Sequence, residues 1–238
     1  METELAAGGL TKNSFIDYPG KISCVIFTTG CNFRCPFCHN PDLVESAPSC
    51  RGGLISEDEI TAFLEKRKGM LEAVVISGGE PCLQPGLAEF CKKVKSMGYL
   101  VKVDTNGSFP DVVKELLSKG VADYIAMDIK SGPDHYSEAA GKKVPFAAVE
   151  KSIMLIREQA PSYEFRTTCV KPFMSPEIMH NVGALVKGAS HYILQQCSRN
   201  VQVLSPEFLQ DETRFFTDNE MEELKQIAEA YVHKCTIR

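Results

Sequence analysis

A chain of 238 residues is too long for a disulfide-stapled mini-protein and short for two full-sized domains, so one large domain, or one with a small appendage, is expected. Apolar residues at 44 % and charged residues at 24 % exclude wholesale disorder. The 26 basic against 31 acidic side chains, net −5, argue against a broad nucleic-acid-binding surface. No apolar run approaches the roughly 18 residues a membrane span needs. The opening Met1-Glu2-Thr3-Glu4 carries acids where a secretory signal carries Lys or Arg, so a cytoplasmic location is expected. In a reducing compartment the ten cysteines read as metal ligands or catalytic groups before cross-links.

Short β-branched runs alternate with amphipathic helical patterns along the chain. The first predicted strand, 21–28, runs into Gly30-Cys31-Asn32-Phe33-Arg34-Cys35-Pro36-Phe37-Cys38-His39-Asn40-Pro41, a loop with three cysteines spaced x3 then x2. Three thiolates can curl around one inorganic centre and leave one metal open, which is what a catalytic metal needs. Closure by His39 or another cysteine would instead give a structural zinc or a closed cluster. A helix at 57–66 precedes a strand at 73–77 and the turn Ser77-Gly78-Gly79-Glu80-Pro81. There the glycines permit close backbone approach to a ligand, and Glu80 can accept from an ammonium group.

A helix at 86–97 leads to a strand at 100–104 and Asp104-Thr105-Asn106-Gly107, by itself an Asn-Gly turn. After a helix at 110–118, the strand 124–130 carries Asp128 and Lys130 on one face by alternation. Two charges on an interior strand need partners, and a mutual salt bridge is the simplest. A helix at 146–159, a strand at 163–170 containing Arg166, a helix at 176–187 and a strand at 191–196 follow. A last helix, 218–233, places Met221, Leu224, Ile227, Ala228 and Tyr231 at apolar positions. Runs such as Val74-Val75-Ile76 suit a parallel sheet covered on both faces. Six β/α units imply right-handed crossovers and either a doubly wound sheet or a partial barrel, with the chemistry at the carboxyl ends of the strands.

The CxxxCxxC loop, with Phe37 before its last cysteine, resembles the signature of the radical S-adenosylmethionine (SAM) superfamily. The opening Ser14-Phe15-Ile16-Asp17-Tyr18-Pro19-Gly20, followed by Cys38-His39-Asn40, is similar to that of glycyl-radical-enzyme activases, most of all the anaerobic ribonucleoside-triphosphate reductase activating proteins. The resemblance extends to about residue 196. It implies an α/β fold, a partial (β/α)6 TIM-like barrel with a parallel sheet and a C-terminal helix. A single domain would have its core at about 20–197 and an extension at 198–238. It also implies a [4Fe–4S] cluster on Cys31, Cys35 and Cys38, with SAM chelating the fourth iron, and Phe37 near the adenine. Gly78, Gly79 and Glu80 match the motif that binds the methionine part of SAM, and Asp104, Thr105 and Asn106 a motif near its carboxylate. By family position Asp104, Thr105 and Asp128 hold a monovalent cation, Lys130 contacts SAM, and Arg166 lies near the SAM carboxylate. Where some activases place a histidine, this chain has Gln195-Gln196, which can supply only neutral hydrogen bonds.

The implied activity is reductive cleavage of SAM to a 5′-deoxyadenosyl radical, which removes a hydrogen from a glycine of a partner such as anaerobic ribonucleotide reductase. The electron donor would be flavodoxin or ferredoxin, and neither a membrane nor a nucleic acid is an expected partner. Two alternatives are a radical SAM enzyme acting on a small molecule or nucleotide, such as a deazaguanine synthase, and a simple iron–sulfur electron carrier. Among the single cysteines, Cys24 and Cys91 read as buried apolar residues. Cys50, Cys82, Cys169 and Cys197 lie near loops or strand ends, where a second ligand set is conceivable, although no paired spacing supports one. The segment after residue 198 can cap the barrel or contact a partner; its sequence does not choose.

Overall fold

A computed structural model describes residues 5–44 and 53–238. The six predicted strands are present as β2 (Ser23–Thr28), β3 (Ala73–Gly78), β4 (Leu100–Thr105), β5 (Tyr124–Asp128), β6 (Tyr163–Cys169) and β7 (Tyr192–Gln196). Two further strands extend the sheet: β1 (Ala7–Ser14), antiparallel to β2, and β8 (Cys235–Ile237), parallel to β7. Neither follows the expected pattern. The Ala7–Ser14 run has little apolar alternation, and β8 is too short to show a period.

The sheet order is β1 through β8 in chain order, and every pair from β2 onward is parallel. A doubly wound sheet reverses its direction of growth at a switch point. Here each crossover advances to the next position, so the sheet curls as a partial barrel. Helices α1 (Glu57–Lys66), α2 (Leu87–Ser96) and α3 (Pro110–Ser118) connect the strands from β2 to β5. The short α4 (Tyr136–Ala139), then α5 (Phe146–Gln159), α6 (Pro176–Leu185) and α7 (Asp218–Glu229), complete the crossovers. The ends of the elements are set by local chemistry. Ser56 with Glu59, and Thr217 with Glu220, form capping boxes at the starts of α1 and α7. Pro110 and Pro176 occupy first-turn positions that lose no hydrogen bond. The last helix stops at Glu229, four residues short of its predicted end, because the chain turns there to deliver β8.

Alternation along the strands sorts the interior. One face of the sheet, with Ile26, Val74, Ile76, Val101, Val103, Ile125, Met127 and Phe165, belongs to the large core shared with the helices. The other face, toward the lumen, carries a small apolar cluster of Tyr18, Val25, Ala73 and Val75 packed with Phe27, Leu100 and Tyr124. Higher on that face the side chains are charged: Lys102, Asp104, Asp128, Glu164 and Arg166. No helix among the described residues is long and apolar enough to cross a membrane.

Candidate active site

The carboxyl ends of the parallel strands open into a cavity of about 420 Å³, a size that suits a nucleoside-bearing ligand. Cys31, Phe37, Glu80, Asp128 and every other site residue singled out from the sequence line it. The loop after β2 supplies the three cysteines. Its own backbone contributes little to its shape, with one internal hydrogen bond from Cys38 N to Cys35 O at 3.0 Å. Other segments hold it: Cys31 N donates to Val44 O, Arg34 N to Ala140 O, and Glu80 N to Gly30 O. Residues beyond β7 reach over it as well, with Leu204 N on Cys38 O at 3.2 Å and Ser205 N on Pro36 O at 3.1 Å. Part of the C-terminal segment is therefore a cover for the cysteine loop. Phe37 is buried between Phe173 and Phe208, with ring centres 5.8 and 5.9 Å away.

Burial pushes the Cys31 thiol up to about 11 and that of Cys35 to about 12, while the Lys130 ammonium pulls both the other way. Among the described residues no three His, Cys, Asp or Glu side chains converge tightly enough to hold a single metal ion. Three cysteine thiols lining one cavity are the donor chemistry of an iron–sulfur centre, and in that respect the residues present fit a [4Fe–4S] cluster. His39 lines the cavity with Nε2 4.0 Å from Cys197 Sγ, and burial, with Lys130 beside it, lowers its pKa. Cys82, Cys169 and Cys197 are buried and unpaired, and Cys50 lies outside the described residues.

The paired glycines line the cavity and also pack against the protein's own backbone. A Cβ on Gly79 would stand 2.1 Å from Gly30 O, and one on Gly78 2.5 Å from Thr28 N. Their closest approach is thus to the protein's own backbone, which docks the β3 turn onto the cysteine loop. Glu80, 1 % exposed, is likewise engaged. Its Oε1 accepts from Cys82 N at 2.9 Å and Thr105 Oγ1 at 2.7 Å, and its Oε2 from Asn106 N at 2.7 Å. Burial raises its pKa and these bonds oppose the rise. Asn106 donates through Nδ2 to Asn32 Oδ1 at 2.9 Å, tying the β4 turn to the cysteine loop.

Beneath the cavity runs a ladder of charge. Asp104 Oδ2 accepts from Ser77 Oγ at 3.1 Å and Arg166 Nη1 at 3.3 Å, and its Oδ1 forms an ion pair with Lys102 Nζ at 2.8 Å. Asp128 Oδ1 accepts from Arg166 Nε at 2.7 Å and Oδ2 from Lys130 Nζ at 3.0 Å. Burial alone would raise both carboxyl groups. Arg166, with Lys102 at Asp104 and Lys130 at Asp128, outweighs it and holds both below the usual carboxylate range. The Asp128–Lys130 salt bridge expected from alternation is present, and Arg166 is an additional partner. At the place of the monovalent cation expected at Asp104, Thr105 and Asp128, all four carboxylate oxygens face protein cations, while Asp104 Oδ1 accepts no hydrogen bond and the Thr105 hydroxyl donates to Glu80.

Residues that sequence reading missed include Lys102, Ser77, Asn32 and Thr168. The signal for Lys102 was available, since alternation puts it on the same face as Asp104. Gln195 and Gln196 both line the cavity, and Gln196 Nε2 donates to Phe216 O at 3.0 Å, linking β7 to the C-terminal segment.

Comparison with known proteins agrees with this geometry. Residues 25–173 match the family model described as the radical SAM superfamily. A Methanocaldococcus jannaschii protein whose name assigns it, provisionally, to the glycyl-radical enzyme activating enzymes is 34 % identical over 97 % of this chain and 94 % of its own length. The pyruvate formate-lyase-activating enzyme of Clostridium pasteurianum is 34 % identical over 53 % of each chain. The Streptococcus suis SuiB structure bound to S-adenosylmethionine shares the fold at 13 % identity, with a TM-score of 0.64 over 90 % of this chain and 49 % of that one. Members of the superfamily use a [4Fe–4S] cluster and SAM. With three thiols, a buried glutamate and a charge ladder around one cavity at the strand ends, and with relatedness running almost end to end, the chain belongs to the radical SAM superfamily and is an enzyme of the glycyl-radical-activase type.

Proposed function

We propose that Cys31, Cys35 and Cys38 hold a [4Fe–4S] cluster, that SAM occupies the cavity beside it, and that the chain installs a glycyl radical on a larger partner enzyme, such as an anaerobic ribonucleotide reductase. The observation that carries this reading is the convergence of the three thiols, Glu80 and the Asp104–Arg166–Asp128–Lys130 ladder on one cavity. When bound, a cluster reduced by flavodoxin or ferredoxin and SAM supply a 5′-deoxyadenosyl radical, with methionine leaving from the sulfonium.

The chain's own residues orient and shield. Lys130, fully charged against Asp128, stands near the thiolates and offsets their negative charge. Glu80 has an Oε2 lone pair to spare and accepts from the SAM ammonium. Arg166 spends Nε and Nη1 on the two aspartates and offers its remaining N–H groups to the SAM carboxylate. Phe37, backed by Phe173 and Phe208, walls the adenine from water.

The test is anaerobic reconstitution with iron and sulfide, reduction with dithionite and addition of SAM. Chromatography should show 5′-deoxyadenosine and methionine in the wild type and neither in Cys35→Ala. An intact cluster that leaves SAM uncleaved refutes the chemistry. Mixing with an anaerobic ribonucleotide reductase should then give a glycyl-radical doublet in electron paramagnetic resonance. SAM cleavage without that signal refutes the activase role for that partner.

A further inference from the structure

Lys102 lies one step below the cavity on β4. It is 2 % exposed, and its ammonium sits 2.8 Å from Asp104 Oδ1 and 5.8 Å from the centre of the Tyr124 ring. It does not line the cavity, whereas Asp104 does. An alkali-metal ion is a hard cation that needs several oxygen donors gathered around it. At this place the oxygens of Asp104 face Lys102 and Arg166, and those of Asp128 face Arg166 and Lys130. A further cation would meet three fixed positive charges at short range.

We propose that Lys102 is a built-in cation. It is a positioning residue that keeps Asp104 charged and oriented beneath SAM and makes SAM binding independent of alkali-metal ions. The inference rests on the reading of the cavity as a SAM site. Its physical basis is charge balance in a buried layer. The acids Asp104, Asp128 and Glu164 stand against Lys102, Lys130 and Arg166. Removing the Lys102 charge leaves one carboxylate short of a partner, with an ammonium-sized gap between Asp104 and the Tyr124 ring face. Sodium or potassium from solution can enter that gap, so ion dependence is a property of the variant and not of the wild type.

The experiment measures SAM affinity by equilibrium dialysis on the anaerobically reconstituted protein, in NaCl, KCl and choline chloride of equal ionic strength. The wild type should bind equally in all three within about twofold, and Lys102→Met should bind about tenfold more weakly in choline and recover in sodium or potassium. Lys102→Arg, which retains the charge, should again be indifferent to the salt. Saturable alkali-ion dependence in the wild type would overturn the proposal. So would a Lys102→Met variant equally weak in all three salts, because that is the behaviour of a packing residue.

Melting temperatures of the cluster-free protein in the same salts give a readout without SAM. Only Lys102→Met should melt higher in sodium or potassium than in choline, and its absence overturns the proposal. If no protein binds SAM in any salt while this melting pattern appears, the failure lies with the SAM reading and the built-in cation stands. Should Lys102→Met not fold, the wild-type and Lys102→Arg salt series still decide.

Discussion

Replacing Arg166 by methionine keeps much of the side-chain bulk and deletes the charge that binds the lumen ladder together. Arg166 is 13 % exposed. It bonds Asp128 Oδ1 at 2.7 Å and Asp104 Oδ2 at 3.3 Å, and stands 3.8 Å from Glu164 Oε1. Without it, three lumen carboxylates face two lysines, and Glu164 retains the Tyr124 hydroxyl at 2.9 Å and the half-exposed Arg238 at 3.7 Å. Breaking a buried pair from one side costs about 3–5 kcal/mol, because the surviving charge stays buried without compensation. A chain of this size loses roughly 2–4 °C of melting temperature per kcal/mol, so the loss should be roughly 6–20 °C.

The pH dependence separates charge from packing. In the wild type Asp104 and Asp128 are held below the usual carboxylate range, so their stabilisation is fully present above that range and is lost only as pH falls through their depressed values. In Arg166→Met the uncompensated carboxylate is raised instead. The folded state then binds more protons than the unfolded one, and stability declines as pH rises through the raised value. The gap between the two proteins should therefore be widest near pH 8 and narrow toward pH 5, by urea denaturation of the reduced, cluster-free proteins. A gap of constant size from pH 5 to pH 8 would show that the arginine acts by packing alone and would refute the charge argument.

Gly79→Ala should loosen the cysteine loop, because the added Cβ meets Gly30 O at 2.1 Å and backbone atoms on both sides must move. The expected result is lower iron content after anaerobic reconstitution, with loss of the Glu80 N to Gly30 O bond reported by faster amide exchange; unchanged iron loading would show that the contact is dispensable. Phe208→Ala removes the ring of the C-terminal segment that stacks on Phe173 and packs on Phe37 of the cysteine loop. Truncating a buried phenylalanine should cost about 3–5 kcal/mol in urea denaturation. A loss below about 1 kcal/mol would mean the C-terminal cover is not packed as described.

Much of the molecule could be read from local pattern because its elements follow simple periods. The strand cores, such as Val74-Val75-Ile76, lie between helices and lumen and are buried on both faces, so apolar runs marked six of the eight strands. The two missed strands are edges. β1 has one neighbour through most of its length and needs little apolar alternation, and β8 has only three residues. The cysteine spacing identified the loop, and alternation found the Asp128–Lys130 pair. What pattern could not supply was the partner on a neighbouring strand: Arg166 meets Asp128 because β5 and β6 pair in that register, and it reaches Asp104 on β4 as well. The backbone contact of Gly79 was hidden for a similar reason: its close neighbour is Gly30, 49 positions earlier in the chain.

The distribution of these contacts explains how a loop of little internal structure can present three thiols in a fixed arrangement. A cluster whose ligands moved freely would have to order them on binding, at about 1–2 kcal/mol per residue in lost backbone freedom. Here much of that cost is met on folding. The β3 turn grips the start of the loop through Gly30 O, the segment after α4 grips its middle through Arg34 N, and the C-terminal segment grips its end through Cys38 O and Pro36 O. Each grip comes from a different part of the chain, and each arrives only when the barrel has formed. Folding and preparation of the site are therefore one event. From Cys31 to Cys38 the cysteine loop contains no helix or strand of its own, yet its shape depends on contacts from the whole fold.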